Sequence, residues 1–219
     1  MRTNIQFMLK GDEKVILCTS CIPGEGKTFV CTNLAMSLAL LGKRVIIVGL
    51  DIRKPRLVKL FGLASDKRGI TTFLSGTDRT YEALESQIIH GVANQNLDVL
   101  PAGIIPPNPG ELISREQLDR AIELLKEHYD YILLDTPPLA LVSDTLSVGR
   151  VADMSIFVCR ADFSPRANFD IINSLNAEGK LPKINLVLNG VDMKKKKYGY
   201  YYGYGRYGKY GRYARYGKY

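Results

Sequence analysis

The sequence predicts an α/β fold, a doubly wound and mostly parallel sheet with helices on both faces. Short apolar runs alternate with helical patterns along residues 1–193, and this alternation is typical of such a sheet. Several of the runs are continuously apolar, as expected for strands that are covered on both faces. Polar motifs follow some of these runs, at the strand ends where doubly wound sheets bind ligands.

Six apolar runs are predicted to be strands: Lys14–Ser20, Arg44–Leu50, Leu97–Pro101, Tyr131–Asp135, Met154–Arg160 and Ile184–Asn189. Two segments are predicted to be helices, Lys27–Leu41 with small and apolar residues and the amphipathic Ser114–His128. Ser114 is the expected N-cap of the second helix, with Gln117 three residues further on. Pro106–Gly110 contains three prolines and is predicted to be a loop.

Residues 194–219 differ in composition from the rest of the chain and are called the tail below. They contain nine Lys or Arg, no Asp or Glu, and ten of the 13 tyrosines, whereas residues 1–193 contain 21 basic and 22 acidic residues. The tail has no apolar periodicity and is rich in glycine, so it is predicted to be disordered and accessible. The expected organisation is a folded domain over 1–193 followed by a basic, tyrosine-rich tail.

The composition disfavours several classes of protein. Met1–Lys14 contains five charged residues and no long apolar run, so no signal peptide is expected. No stretch approaches the ~18 apolar residues of a membrane span, and a soluble, cytoplasmic protein is expected. Cys18 and Cys21 form a C-x-x-C without a second pair or His cluster, which disfavours a zinc or redox site. Cys31 and Cys159 are predicted to be small buried residues.

A phosphate-binding loop is predicted between the first strand and the first helix. The segment CIPGEGKT begins at Cys21, which stands where the general pattern has its first glycine. Glycines let backbone N–H groups turn toward phosphate oxygens, and the helix start adds its positive dipole. Lys27 is expected to reach the β- and γ-phosphates, and the Thr28 hydroxyl to bind Mg²⁺. The predicted nucleotide-binding residues of this loop are Pro23, Gly24, Glu25, Gly26, Lys27 and Thr28.

Two aspartates follow predicted strands. Asp135 ends the apolar run Tyr131–Asp135 in a Walker B pattern, and the two prolines after it argue against a helix cap. Asp135 is therefore expected to hold Mg²⁺ through a water beside Thr28. Asp51 lies just past the second strand, where it is expected to contact the metal or accept a proton from a hydroxyl. A local salt bridge between Asp51 and Arg53, or a helix N-cap, is the alternative.

These motifs together resemble the bacterial tyrosine kinases of capsule and exopolysaccharide synthesis, over essentially the whole chain. Pro23–Thr28 matches the family's P-G-E-G-K-[ST] loop, Asp135–Pro138 matches D-T-P-P, and Pro106–Leu112 is similar to a family loop. Asp51 and Arg53 match the second Asp and the Arg of the family's D-x-D-x-R motif. The tyrosine-rich tail is the most discriminating match, because relatives that partition DNA or position division sites lack it.

The resemblance implies a MinD/ParA-like P-loop NTPase fold and an ATP- and Mg²⁺-dependent tyrosine autokinase. It implies that Asn189, in the segment LNGV, reads adenine. The implied catalytic residues are Lys27, Asp51, Arg53 and Asp135, and the implied metal ligands are Thr28, Asp51 and Asp135. The implied phosphoacceptors are Tyr198, Tyr200, Tyr201, Tyr202, Tyr204, Tyr207, Tyr210, Tyr213, Tyr216 and Tyr219.

The sequence departs from the family's pattern at two places. Gly49 stands where the family has the first Asp of D-x-D-x-R, a candidate base for the substrate hydroxyl. Loss of a general base costs about 10²–10⁴ in rate, so intact ATP binding and impaired transfer are expected. The family's E-x-x-R-x-x-R segment, implicated in packing subunits into a ring, is represented only by Arg2. Either ring assembly lacks most of its packing motif or the N-terminus has been trimmed.

Partners are also implied by the resemblance. In one branch of the family, a separate transmembrane protein supplies a cytoplasmic segment that activates the kinase at the inner face of the plasma membrane. Leu139–Val142 is the predicted docking surface for this segment. A homo-oligomeric ring and a tyrosine phosphatase are further expected partners, and no specific nucleic acid is expected. Each phosphate adds about −1.5 to −2, so four or five phosphates would cancel most or all of the +9 of the tail and release it from a neighbouring subunit.

Two alternatives remain open from the sequence. One is a MinD/ParA-like ATPase switch that phosphorylates nothing, although such relatives usually carry an extra lysine near the position of Cys21 or Ile22. The other is a tail that binds nucleic acid, an anionic membrane or an anionic polysaccharide. Lys and Arg interleaved with aromatic residues suit both charge neutralisation and stacking.

Overall fold

A six-stranded, entirely parallel sheet forms the centre of the protein. The structure, a computed structural model, describes residues 1–63, 67–139 and 144–192, and Met1–Asn189 form one compact unit. The strands are β1 (Val15–Ser20), β2 (Val45–Gly49), β3 (Leu97–Leu100), β4 (Tyr131–Asp135), β5 (Met154–Arg160) and β6 (Ile184–Asn189). Their order in the sheet is β3-β2-β4-β1-β5-β6, with each neighbouring pair parallel. The predicted fold class and all six strands are confirmed, whereas the tail lies outside the described residues.

Helices cover both faces of this sheet. They are α1 (Arg2–Met8), α2 (Lys27–Ala39), α3 (Leu57–Leu60), α4 (Ile70–Ser75), α5 (Tyr81–Glu85), α6 (Pro109–Ser114), α7 (Glu116–His128), α8 (Asp144–Val148) and α9 (Ala167–Ala177), with a short 3₁₀ turn at Gly149–Val151. Helices α1 and α2 pack on one face, and α4 to α9 contribute buried residues to the other. Successive residues of β1 alternate between the two packing clusters. Every β1 residue is buried, and the burial of residues 15–18 between the two clusters explains why this part of the strand is continuously apolar.

Two predictions around Pro109 are wrong. Helix α6 begins at Pro109, so Pro109 and Gly110 are helical rather than part of a loop. Proline is tolerated at a helix start, because its missing N–H would have no helical partner there. Ser114 is consequently the last residue of α6, and its hydroxyl donates to the Gly110 carbonyl at 2.9 Å. Helix α7 starts two residues later, after an extended Arg115, and Ser114 does not cap it.

Candidate nucleotide site

The predicted phosphate loop connects the end of β1 to the start of α2 at the carboxyl edge of the sheet. Gly26 precedes the first residue of α2 and has φ of +94°, in the left-handed region that favours glycine. A Cβ atom at this position would lie 2.2 Å from the side-chain nitrogen of Asn189, so the loop also leaves no space for a side chain. Gly24 has a similar φ of +93°. Both glycines are required for the loop to take this path.

The Glu25 side chain anchors the phosphate loop to the rest of the protein. Its carboxylate is fully buried and accepts hydrogen bonds from the Ile22 N–H at 2.8 Å, the Ser164 hydroxyl at 2.5 Å and the Asn168 amide at 3.4 Å. Ser164 and Asn168 belong to the connection between β5 and α9 and to the first turn of α9. The Glu25 side chain therefore fixes the loop to the body of the protein. Only the backbone of Glu25 is then available for a direct contact with a nucleotide.

Asn189, at the end of β6, also holds the loop. Its side-chain amide donates to the Glu25 carbonyl at 3.0 Å. The same nitrogen occupies the space that a Gly26 side chain would need. The implied adenine-reading role of Asn189 stays a prediction, and its contact with the loop is a second role that the sequence did not indicate.

Four predicted site residues meet at the mouth of the loop. The Lys27 ammonium lies 3.2 Å from an Asp51 oxygen and 3.3 Å from an Asp135 oxygen. The Thr28 hydroxyl lies 3.0 Å from both carboxylate oxygens of Asp135. The backbone N–H groups of Leu50 and Asp51 donate to the Asp135 carbonyl, at 2.9 and 3.0 Å, so the ends of β2 and β4 are joined. One lysine, one hydroxyl and two carboxylates thus share a single point of the sheet edge.

Burial controls the electrostatics of this cluster. Asp135 is 2% exposed, and burial raises the pKa of its carboxyl above the usual range, against the opposing effects of the Lys27 ammonium and the Thr28 hydrogen bond. Asp51 is 8% exposed and lines an open cleft, which Asp135 does not. The two carboxylates therefore differ in their surroundings. Asp135 is buried, whereas Asp51 faces the cleft where a substrate would lie.

The oxygen atoms at this point of the sheet edge suit Mg²⁺ better than a metal ion that protein side chains surround completely. Within the described ranges, no group of three or more His, Cys, Asp or Glu side chains converges on one point. Mg²⁺ in phosphoryl-transfer sites usually binds one or two carboxylates and keeps waters and substrate phosphates as its other ligands. Thr28, Asp51 and Asp135 carry oxygen donors of this kind at one point of the sheet edge, and their role as metal ligands stays a prediction.

Arg53 lies near this cluster but is paired elsewhere. Its guanidinium binds the carboxylate of Asp144, the first residue of α8, at 2.9 and 3.4 Å. Asp144 is almost fully buried, whereas Arg53 is 41% exposed at its side chain. Gly110 packs against the pair, and a Cβ there would lie 2.9 Å from an Asp144 oxygen. The expected alternative, a salt bridge to Asp51, is not the ion pair of Arg53 in this structure.

Gly49 is the last residue of β2 and lies in register with Asp135 of β4. Its surroundings are close: a Cβ would lie 3.1 Å from the Ala102 nitrogen and 3.1 Å from a Leu57 methyl. Gly49 also lines a small cavity of about 10 Å³, together with Asp51 and Asp135. A carboxylate at position 49 would therefore lie near the two that are present.

An open cleft of about 920 Å³ extends from the phosphate loop, which is within the usual range for a small-molecule site. The loop, Asp51 and Pro137 form one part of its lining. The segment after β2 forms another part, with several basic residues and Leu60. This volume is sufficient for a nucleotide with further space beside it.

Some of the predicted functional residues fall outside this site. The ten tail tyrosines lie outside the described residues, as do residues 140–142 of the predicted docking surface. Leu139 is partly buried and packs against the core. The four cysteines are buried free thiols, and burial raises the pKa of Cys21 to about 12, as for an unreactive thiol.

A strand, a glycine-containing loop and a helix that present lysine, a hydroxyl and two carboxylates define a P-loop nucleotide-binding protein. A family model described as an AAA domain matches residues 13–164. Tyrosine-protein kinase CpsD of Streptococcus pneumoniae serotype 4 is 35% identical over 202 residues, which are 90% of this chain and 84% of CpsD. Tyrosine-protein kinase YwqD of Bacillus subtilis is 32% identical, over 92% of this chain and 83% of YwqD. The chain belongs to this family of bacterial tyrosine kinases.

Solved structures agree with this assignment. The kinase domain of the Escherichia coli tyrosine kinase Etk superposes with a TM-score of 0.80 at 29% identity, over 89% of this chain and 74% of that domain. The septum site-determining protein MinD from Pyrococcus horikoshii, at 23% identity and a TM-score of 0.64 over 80% of this chain and 70% of MinD, shares the fold. Family membership implies a nucleotide and a divalent metal at the site. No helix in the part of the chain that the structure describes is long and apolar enough to cross a membrane.

Proposed function

We propose that this protein is an ATP-dependent protein-tyrosine kinase that phosphorylates the tyrosines of its own tail. The observation that carries the proposal is the convergence of Lys27, Thr28, Asp51 and Asp135 at the edge of an open cleft. The relatives named tyrosine-protein kinases support the reaction type. The ten tail tyrosines are candidate acceptors in the same chain.

The proposed transfer uses each of these side chains in a different way. The backbone of the phosphate loop and Lys27 bind the β- and γ-phosphates of ATP, and Thr28, Asp51 and Asp135 hold Mg²⁺. The metal supplies positive charge that stabilises the charge developing on the phosphates. Buried Asp135, fixed by Thr28, positions the ligand set. Asp51, which faces the cleft, is the candidate acceptor for the phenolic proton.

The bonds change as follows. The tyrosine Oη forms a bond to the γ-phosphorus, and the bond between that phosphorus and the β,γ-bridging oxygen breaks. ADP leaves with the electron pair of the broken bond, and the phenolic proton passes to the Asp51 carboxylate. Lys27 lies 3.2 Å from an Asp51 oxygen and orients this carboxylate. Gly49 stands where the family's motif has its first Asp, so the proposed transfer is slower than in relatives that have this carboxylate.

The proposed role is the regulation of capsule or exopolysaccharide synthesis and export. A transmembrane protein with a cytoplasmic segment would activate the kinase and hold it at the inner face of the plasma membrane. A tyrosine phosphatase would reverse the modification. A homo-oligomer would let the tail of one subunit reach the site of a neighbour. These partners rest on family membership and on the charge of the tail.

The test is the intact mass of the full chain after phosphatase treatment and incubation with ATP and Mg²⁺, with an activating peptide where one is known. Stepwise additions of one phosphate that map to residues 198–219 are expected. Lys27→Met is the matched control, because it removes the phosphate-binding ammonium and should gain no mass. A chain that binds ATP and hydrolyses it without gaining mass would overturn the kinase proposal in favour of an ATPase switch.

A further inference from the structure

The cleft beside the phosphate loop has a basic rim. Lys54, Arg56 and Lys59 line the cleft and are exposed. Their neighbour Arg53 is paired with Asp144, but the side chains of these three residues form no ion pair with any other described residue. Three unpaired cations, here called the basic rim, therefore face the cleft in addition to Lys27.

Apolar side chains accompany these cations. Phe29 and Leu60 line the same cleft and are 59% and 50% exposed. Large apolar side chains that stay exposed beside unpaired cations suit a ligand with an aromatic body and an anionic end. Phosphotyrosine has this chemistry. The phosphates of the nucleotide are already served by the loop and Lys27, so the basic rim is available to a second phosphate.

The charge of the tail determines which form of it suits this rim. The unmodified tail carries nine positive charges and no negative charge, so the basic rim repels it. Each phosphate adds about −1.5 to −2 at neutral pH. The tail as a whole stays positive after one transfer, but the phosphate is a local dianion that the basic rim attracts, and an unmodified segment has no such group.

The spacing of the tail tyrosines fits such a site. From Tyr204 to Tyr219, tyrosine occurs at every third residue, and Lys or Arg precedes each one from Tyr207 onward. Three residues of extended chain span at most about 10 Å. A phosphate held at one tyrosine thus leaves the next tyrosine within a short reach, in the same sequence context.

We infer that Lys54, Arg56 and Lys59 form a binding site for phosphotyrosine of the tail, which holds a modified segment while a neighbouring tyrosine receives the next phosphate. The inference rests on the proposed kinase function. Phosphorylation then accelerates after the first transfer and proceeds along the repeat. Each transfer uses ATP and releases ADP and a proton as described above.

The binding test uses the full, phosphatase-treated chain and a fluorescent synthetic peptide of residues 206–219, with or without phosphate on Tyr213. Saturating ADP and Mg²⁺ occupy the phosphate loop, and anisotropy reports binding. We expect the phosphopeptide to bind at least about tenfold more tightly than the plain peptide, a difference of about 1.4 kcal/mol. The double variant R56A/K59A should reduce this ratio to below about twofold, whereas Lys59→Arg, which keeps the charge, should retain it.

Lys43→Ala is the matched control, because Lys43 is an exposed lysine just before β2, at the opposite end of the strands. The Lys43→Ala variant should keep the wild-type ratio of phosphopeptide affinity to plain-peptide affinity. Three results would each overturn the inference. They are equal binding of both peptides by the wild type, an unchanged ratio of the two affinities in R56A/K59A, and loss of phosphopeptide binding when ADP is added. Phosphopeptide binding needs no catalysis. A chain that discriminates between the peptides but gains no mass with ATP would therefore support the basic rim and refute the kinase proposal.

Discussion

Substituting Gly49 by aspartate should increase the rate of phosphoryl transfer while it lowers the stability of the folded chain. Gly49 lies in register with Asp135 and beside a small cavity that Asp51 and Asp135 also line. A carboxylate placed there would add a base and metal ligand to the two present. Restoring a general base is expected to raise the rate by about 10²–10⁴. This gain corresponds to a barrier lower by about 2.7–5.5 kcal/mol.

The cost in stability follows from the same surroundings. A Cβ at Gly49 would lie 3.1 Å from both the Ala102 nitrogen and a Leu57 methyl. The methyl can move, but the nitrogen belongs to the backbone, so overpacking should cost about 1–3 kcal/mol. A third carboxylate would also share a single ammonium, Lys27, with Asp51 and Asp135. The total loss should be about 2–4 kcal/mol, partly recovered by Mg²⁺.

Gly49→Asn separates these effects, because asparagine has the shape of aspartate without its charge. Single-turnover incorporation of phosphate and thermal melting with and without Mg²⁺ should be measured for the wild type and both variants. The asparagine variant should lose stability without any increase in rate. Equal acceleration by both variants, or no acceleration in an aspartate variant that binds ATP normally, would refute the reasoning.

Three other substitutions test the rest of the site. Glu25→Gln should weaken ATP binding about tenfold in a nucleotide titration, because the loop loses a charged acceptor worth about 1.5–3 kcal/mol per hydrogen bond; unchanged affinity would refute the anchoring role. Asp135→Asn should raise the melting temperature of the ligand-free chain, since burial disfavours its charge, and should abolish Mg²⁺-dependent ATP binding; a lower melting temperature would contradict this. Asp144→Asn removes the ion-pair partner of Arg53 and should lower the free energy of unfolding by about 1 kcal/mol. It should also slow phosphoryl transfer with little change in ATP affinity, whereas a purely structural role of the pair would leave the transfer rate unchanged.

The sheet could be predicted from the sequence because its strands are short apolar runs with polar ends. The predicted bounds of Tyr131–Asp135, Met154–Arg160 and Ile184–Asn189 coincide with the observed strands. Helices α3 to α5 were not predicted, because four to six residues are too few to show a helical period. The prediction for the start of α7 is wrong because Ser114 and Gln117 have the spacing of a helix cap, whereas Ser114 is the last residue of α6.

The site was predicted where local motifs define it and missed where distant segments meet. The meeting of the site residues follows from the phosphate-loop motif, which places Lys27 and Thr28 at a helix start, and from the two aspartates at or just past strand ends. The partners of Glu25, which are Ser164 and Asn168, lie about 140 residues away in the sequence. No spacing rule connects residues so far apart. The phosphoacceptor tyrosines stay a prediction.

The contacts of Lys27 make ligand binding at this site an exchange of ions. Its ammonium already lies against two carboxylates, so a polyphosphate alone must compete with them and would then face their negative charge. A divalent cation alone would release the carboxylates from Lys27 and leave two positive groups side by side. Only the metal–nucleotide complex satisfies all of these charges at once. The two ligands should therefore bind with positive, reciprocal cooperativity, and the site should discriminate against free phosphate, free nucleotide and free cation alike.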